Sequence, residues 1–150
     1  MSDISTEEIL DVIFDIKLAL TKHVSRGFHS LGEKNAGHGK KNFIKTIVIL
    51  YRKGPLTPSE LSKYMDLRKS TMTAIIDLLT DKNFVSVRSA KDDRRKKIIC
   101  LTDKGKMQAE KRKEIILNIL SESFKQLNDD EISQFLIHLK GINDVLYKIM

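Results

Sequence analysis

The chain of 150 residues contains a single cysteine, which excludes an intrachain disulfide and any zinc site built from a cysteine cluster. No apolar run approaches the roughly 18 residues that a membrane-spanning helix requires. The first eight residues are acidic and lack the basic and then apolar order of a signal peptide. These absences lead us to expect a cytoplasmic protein without a membrane partner.

Patterns typical of enzymes and metal sites are also missing. Residues 32–37 begin like a phosphate-binding loop, but His38 stands where the lysine is required and a helix precedes the segment. The four histidines form no i,i+4 pair, and no nucleophile and base stand in a recognisable constellation. Cys100 stands alone on a short strand, so we expect an inert thiol rather than a redox sensor. We therefore predict no catalytic residues, no metal and no built-in cofactor.

Positive charge is concentrated in the middle of the chain. Residues 40–106 contain 17 Lys and Arg against 7 Asp and Glu, a balance of +10. The remainder contains 10 against 13, a balance of −3, and the two add to the net charge of +7. A basic middle between two other segments favours a polyanion as the partner, with nucleic acid first and anionic lipid or acidic protein as alternatives.

Hydrophobic spacing predicts mostly helices. A long helix is expected over residues 5–31, a loop over 32–41, and a second helix from Phe43 that stops at Gly54-Pro55. Thr57-Pro58-Ser59-Glu60 has the three marks of a helix start: a capping threonine, a proline in the first turn and a glutamate that can close a capping box. This helix should end near Met65.

A tight turn at Asp66-Leu67 should lead into another helix, from about Lys69 to Lys82, with Asn83 ending it in a left-handed conformation. Two short helices joined by such a turn are a helix-turn-helix, whose second helix reads the major groove of DNA. Its core positions are Leu61, Leu67, Met72, Ile75, Ile76 and Leu79.

Two short strands are expected next, over residues 84–87 and 97–101, joined by a loop with four consecutive cations, Arg94 to Lys97. Thr102 and Gly105 open a helix over about 103–126, and a last helix covers about 130–149. The predicted fold is mainly α with a small two- or three-stranded β-wing. It consists of a winged helix-turn-helix with additional N- and C-terminal helices.

Two stretches of this chain resemble MarR-type transcriptional regulators. They are the helix-turn-helix over residues 61–79 and the wing Asp92-Asp93-Arg94-Arg95, followed by Leu101-Thr102-Asp103-Lys104-Gly105. The likeness extends over essentially the whole length, in one domain with a DNA-binding lobe at about 40–106 and dimerisation helices at about 5–31 and 107–150.

The chain departs from the family pattern at three positions. Asp66 and Asn83 stand where glycine is common, and both residue types tolerate positive φ. Ala74 stands where many members carry arginine, which removes one potential DNA contact and leaves the operator sequence open.

The sequence predicts three sets of functional residues. Hydroxyls and charges at the start and on the outer face of the second helix suit contacts with phosphates and base edges: Lys69, Ser70, Thr71, Thr73 and Asp77. The wing cations suit phosphates or a narrow minor groove: Arg94, Arg95 and Lys96. One of the two arginines could instead pair with Asp92 or Asp93 and hold the wing's fold. The apolar surface of the terminal helices exceeds what one small core takes up, and its dimer-forming residues are Ile9, Ile13, Leu20, Phe135, Leu139, Ile142 and Leu146.

We thus predict a DNA-binding regulator, most simply a repressor, that binds a palindromic operator as a homodimer. The resemblance implies release from DNA by a small aromatic ligand, as in many members. The alternative is a helical adaptor whose basic middle binds an acidic protein.

Overall fold

The computed structural model describes residues 5–29, 38–90 and 93–149, with side chains described outside residues 20–40. The elements in chain order are α1 (Thr6–His29), α2 (His38–Lys53), α3 (Pro58–Met65), α4 (Lys69–Asp81), β1 (Val85–Ser89), β2 (Lys97–Leu101), α5 (Asp103–Phe124) and α6 (Asp129–Ile149). The mainly helical fold class with a small antiparallel sheet is as predicted. The chain divides into two compact units, residues 28–115 and residues 1–27 with 116–150.

The predicted loop over residues 32–41 is too long at its C-terminal end. α2 already begins at His38, whereas residues 32–37 lie outside the described part of the chain. Apolar spacing marks only the part of a helix that packs, and α2 extends past it through residues 38–42, which include Gly39 and carry no apolar period. The helix ends at Lys53, and Gly54 follows with a positive φ of 84°.

The start of α3 is as the sequence predicts. The Thr57 backbone N–H donates to Glu60 Oε2 at 2.7 Å, and the Glu60 N–H donates to Thr57 Oγ1 at 3.2 Å. This reciprocal capping box satisfies backbone donors that the first turn of a helix leaves free. Pro58 occupies the first turn, where no donor is needed.

Left-handed residues end both helices of the helix-turn-helix. Asp66 follows α3 with φ 51°, and Asn83 follows α4 with φ 59°. At each site the left-handed residue and the residue after it both donate their backbone N–H back to the helix. Asp66 donates to the Lys63 carbonyl and Leu67 to the Ser62 carbonyl. Asn83 donates to the Thr80 carbonyl and Phe84 to the Leu79 carbonyl. These are Schellman endings, usually made with glycine. The expectation that Asp66 and Asn83 adopt the required backbone is confirmed.

The sheet is a two-stranded antiparallel hairpin in which Val85 pairs with Leu101, Val87 with Ile99 and Ser89 with Lys97. β1 runs from 85 to 89, two residues farther toward the wing than predicted at its C-terminal end. Cross-strand hydrogen bonds, which the sequence pattern does not show, extend it. Leu56 forms an isolated antiparallel bridge with Ile99, which supplies the rudiment of a third strand.

One apolar core holds the unit formed by residues 28–115. It draws on α2, α3, α4, both strands and the start of α5, and its buried members are Ile47, Leu50, Leu56, Leu61, Met65, Met72, Ile75, Ile76, Leu79, Val85, Ile99 and Ala109. Leu67, also predicted for the core, is half-buried and packs against it. Because α4 buries Met72, Ile75, Ile76 and Leu79, its opposite face is directed to solvent.

The unit that contains both termini is different, because it buries few side chains. Every described side chain of α1, residues 5–19, is exposed, and α6 has no buried residue. α6 starts with a second capping box, in which Asn128 and Glu131 each accept the other's backbone N–H. The rings of Phe124 and Phe135 meet edge to face at 5.6 Å between centroids.

Candidate nucleic-acid interface

The predicted contact residues of α4 lie on its solvent face. Lys69, Ser70, Thr71, Thr73 and Asp77 are all exposed. They alternate with the buried residues that anchor the helix, so the helical period itself aims them outward. The structure thus places the five on one helix, around its outer surface.

Ser70 does not cap α4. The cap position is held by Arg68, whose side chain makes no capping hydrogen bond, and Ser70 lies inside the helix. Its exposed hydroxyl is therefore not used in capping the start of the helix. Arg68 is exposed and was not among the predicted contacts. Its position next to Lys69, just before the predicted start of the second helix, is the sequence signal that would have singled it out, because a cation there can contact a phosphate.

The two threonines differ in what they offer a partner. The hydroxyl of Thr73 donates to the Lys69 carbonyl at 3.0 Å, so its proton is engaged within the helix. Thr73 therefore presents its methyl group and oxygen lone pairs to a partner. Ala74 is exposed on the same outer surface, where an arginine would reach farthest from the helix.

Hydrogen bonds to Asp93 shape the wing loop. Its carboxylate accepts the backbone N–H of Arg95 at 2.9 Å, its carbonyl accepts the N–H of Lys96 at 2.9 Å, and Ala90 donates to the Lys96 carbonyl at 2.9 Å. Arg94, Arg95 and Lys96 are exposed at this turn. The described contact of the Asp93 carboxylate is with backbone rather than with a guanidinium, so backbone bonding shapes the loop. Asp92, the other proposed partner, lies outside the described residues.

Cys100 lies on the face of β2 opposite to the buried Ile99 and is half-buried. It borders a surface pocket together with Tyr51, Arg88 and Lys106. Because the chain has no second cysteine, this thiol has no disulfide partner within the chain.

The predicted dimer residues are exposed on two helices of the other unit. Ile9 and Ile13 of α1 are 49% and 54% exposed, and the four on α6 are between 39% and 46% exposed. These four are Phe135, Leu139, Ile142 and Leu146. Leu20 lies among the residues whose side chains are not described. Phe135 also packs on Phe124 of its own chain, so part of its ring surface is covered already.

The described residues contain neither a membrane-spanning helix nor a metal-binding cluster. No helix among them is long and apolar enough to cross a membrane. Within that same part of the chain, no group of three or more His, Cys, Asp and Glu side chains could hold a metal ion.

The fold and the arrangement of α3, α4 and the β-hairpin define a winged helix-turn-helix protein. The profile of the MarR family matches residues 42–97, which cover both helices of the helix-turn-helix, β1 and the wing loop and end at the first residue of β2. The HTH-type transcriptional repressor YetL of Bacillus subtilis is 29% identical over 136 residues, 89% of this chain and 78% of its own length.

Solved structures agree in fold. A MarR family protein from Bacillus stearothermophilus matches with a TM-score of 0.80 at 21% identity, over 96% of this chain and 99% of its own. A mutant MarR from E. coli, solved with operator DNA, matches with a TM-score of 0.63 at 22% identity, over 94% and 99%. Over residues 42–97 this chain is similar to the MarR family, and it shares the winged helix-turn-helix fold of the matching structures.

Proposed function

We propose that this protein is a MarR-type transcriptional repressor that binds a palindromic operator as a homodimer, with α4 in the major groove and the wing on the flanking backbone or minor groove. The observation that carries the proposal is the exposure of one set of polar groups on α4 and a second set of cations on the wing, both within the most basic part of the chain. Exposed cations in that number suit a phosphate backbone, and short hydroxyls suit base edges.

The relatives support this proposal. YetL is described as a transcriptional repressor, and the E. coli MarR structure contains operator DNA. A palindromic site follows from symmetry, because two copies related by a two-fold axis present two identical helices to DNA about one helical turn apart.

The dimer rests on a separate observation. α1 and α6 leave many large apolar side chains exposed, among them Leu10, Phe14, Ile137 and Val145, at 56% to 62%. Soluble monomers rarely expose a contiguous apolar patch of more than a few hundred Å². A second copy with the same faces would cover this surface in one self-complementary interface.

Control by a small aromatic ligand rests on the family resemblance alone. The test is to add such compounds to the protein–operator complex: release at concentrations that leave an unrelated DNA-binding protein bound supports it. If no compound in a broad panel of small aromatic compounds released the operator, the protein would instead be a repressor that is not controlled by such ligands.

Variants of the wing cations distinguish DNA binding from the alternative function, in which the protein is an adaptor for an acidic protein. A duplex selected by the protein from a random pool should bind less tightly as salt rises, because each neutralised phosphate releases a counterion. Arg94→Ala with Arg95→Ala should weaken binding by about 1–3 kcal/mol and flatten the salt dependence. The control is Lys140→Ala, an exposed cation of α6 outside the basic lobe. An adaptor would show no saturable binding to any duplex, and unchanged affinity of the double variant would refute the wing's role.

A further inference from the structure

The end of α4 is held by the start of α5 through three consecutive carbonyl groups. The Lys82 carbonyl accepts Lys104 Nζ at 2.8 Å, the Asn83 carbonyl accepts the Thr102 hydroxyl at 2.7 Å, and the Phe84 carbonyl accepts the Thr102 N–H at 3.1 Å. We call residues 82–84 and 102–105 the α4–α5 junction. All of it lies in the unit formed by residues 28–115.

Thr102 serves both helices at once. Its hydroxyl donates to Asn83 beyond the C-terminus of α4, and the same oxygen accepts the N–H of Gly105 at 3.1 Å in the first turn of α5. A hydroxyl group can donate one hydrogen bond and accept another at the same oxygen atom. The Thr102 hydroxyl therefore caps the start of α5 and also holds the chain that follows α4.

Lys104 adds a charged contact. Its ammonium group lies 4.6 Å from the centroid of the Phe84 ring while it donates to the Lys82 carbonyl. A cation is favoured at a helix C-terminus, where free carbonyls carry partial negative charge, and also over an aromatic face. Two attractions thus direct one side chain to the end of α4.

Gly105 permits the close approach. A Cβ at this position would overlap the Phe84 carbonyl oxygen, so the two backbones are packed as closely as a missing side chain allows. The junction combines hydrogen bonds, a cation over a ring and direct backbone packing, and it leaves α4 little freedom to move relative to the start of α5.

We propose that Thr102 and Lys104 are positioning residues for DNA reading, which hold α4 at the angle at which its outer face matches base edges. This inference rests on the proposed DNA-binding function. Base contacts depend on geometry, whereas phosphate contacts tolerate displacement of a flexible side chain. Loss of the junction should therefore reduce discrimination between sequences more than it reduces general attraction to DNA.

The test compares the selected duplex with a scrambled duplex of the same length, well below the unfolding temperature of each variant. Thr102→Val, which keeps the shape and loses the hydroxyl, should lower the ratio of the two affinities by roughly threefold to tenfold. Thr102→Ser should restore the ratio, because its hydroxyl makes the same bonds. An unchanged ratio for Thr102→Val would overturn the proposal.

Lys104 requires a different control, because a lysine could also contact phosphate directly. Lys104→Met should lower the ratio and leave the salt dependence unchanged. Lys106→Met is the matched control, since Lys106 is an exposed cation that pairs with Asp103 at 3.5 Å. If Lys104→Met instead weakened both duplexes equally and reduced the salt slope by about one, Lys104 would be a phosphate contact and its positioning role would be excluded.

Amide hydrogen exchange tests the junction without DNA. Thr102→Val should speed exchange at the end of α4, in residues 79–84, and Thr102→Ser should keep the original rates, because fewer bonds then oppose local opening. Wild-type protein that fails to bind any duplex while showing this exchange pattern would refute the proposed function but leave the mechanical role of the junction intact. Unchanged exchange in Thr102→Val would refute the junction itself.

Discussion

Thr57 and Glu60 bond to each other in both directions across the first turn of α3. The glutamate carboxylate accepts the Thr57 backbone N–H at 2.7 Å and the Thr57 hydroxyl at 2.8 Å, and the hydroxyl oxygen accepts the Glu60 N–H at 3.2 Å. The backbone hydrogen bond, followed by the hydroxyl bond, lowers the pKa of Glu60 below its ordinary value, because both bonds favour the charged carboxylate.

This relationship predicts a pH dependence of stability. Since the pKa of Glu60 is lower in the folded protein, its contribution is complete above the pKa of the unfolded chain and is lost as pH falls through the folded pKa. Urea unfolding of wild type and Glu60→Gln should show wild type as the more stable at pH 7, and the difference in unfolding free energy should close as pH falls through the folded pKa of Glu60. The glutamine keeps a capping oxygen but cannot titrate, and a gap independent of pH would contradict the prediction.

The left-handed residues predict opposite effects for glycine and alanine. Asn83→Ala should destabilise the protein by roughly 1 kcal/mol, because a Cβ without a local polar group is strained at φ 59°. Asn83→Gly should hold or raise the stability, because glycine adopts this conformation without strain. Thermal unfolding of the two Asn83 variants, together with Asp66→Ala and Asp66→Gly, measures the change in stability at both sites. Equal stability of the two Asn83 variants would mean that the backbone there relaxes freely.

Two glycines in helices predict effects of opposite sign. Gly105→Ala should destabilise by about 1–3 kcal/mol, since the added methyl overlaps the Phe84 carbonyl oxygen, which belongs to the backbone and cannot move alone. Gly141→Ala is the matched control: nothing lies within 4 Å of its Cβ, so it should stabilise by about 0.5–1 kcal/mol. The denaturant midpoints of the two variants measure these stability changes. If both variants were less stable than wild type, the space around the added methyl group would not determine the change in stability.

The hydroxyls of α4 predict separable effects on DNA reading. Thr71→Ala and Thr73→Ala should change which bases are preferred, whereas Lys69→Ala should weaken all duplexes alike, because a flexible lysine neutralises phosphate. Thr73→Val should resemble wild type more closely than Thr73→Ala, since the Thr73 proton is already bonded to Lys69 and its methyl is retained. The affinity of each protein variant for a set of operators with single-base changes measures this base preference. Altered preference in Lys69→Ala, with none in the threonine variants, would reverse the roles.

The exposed faces of the terminal helices predict a dimer of two 17.2-kDa chains in sedimentation equilibrium at micromolar concentration. Leu139→Glu with Leu146→Glu should shift the mass toward one chain, because charges would be buried in an apolar interface. Lys140→Glu, on the same helix, is the control.

Removal of residues 129–150 should also abolish tight operator binding, because a single half-site contact remains. A wild-type mass of one chain with DNA binding intact would reject the dimer.

Much of this fold is encoded locally. The start of α3 at Thr57 and the left-handed ends at Asp66 and Asn83 depend on neighbouring residues, so the sequence shows them directly. The start of α2 at His38 was missed, because polar residues there carry no period that separates helix from loop. Arg68 was left out of the predicted contacts because it precedes the helix, at the cap position before Lys69. The proposed DNA and dimer contacts, the cytoplasmic location and the single-domain description remain predictions.

The sequence by itself determined the helices, the wing hairpin, the basic lobe and the likeness to MarR regulators, because periodicity, capping and charge act between residues close in the chain. Only the tertiary structure decided that Thr102 and Lys104 hold the three carbonyls that follow α4, or that Gly105 meets the Phe84 carbonyl. These partners lie about twenty residues apart, with the whole wing between them. A pattern of neighbouring residues does not specify the hairpin register, and it is the pairing of Val85 with Leu101 that brings them together.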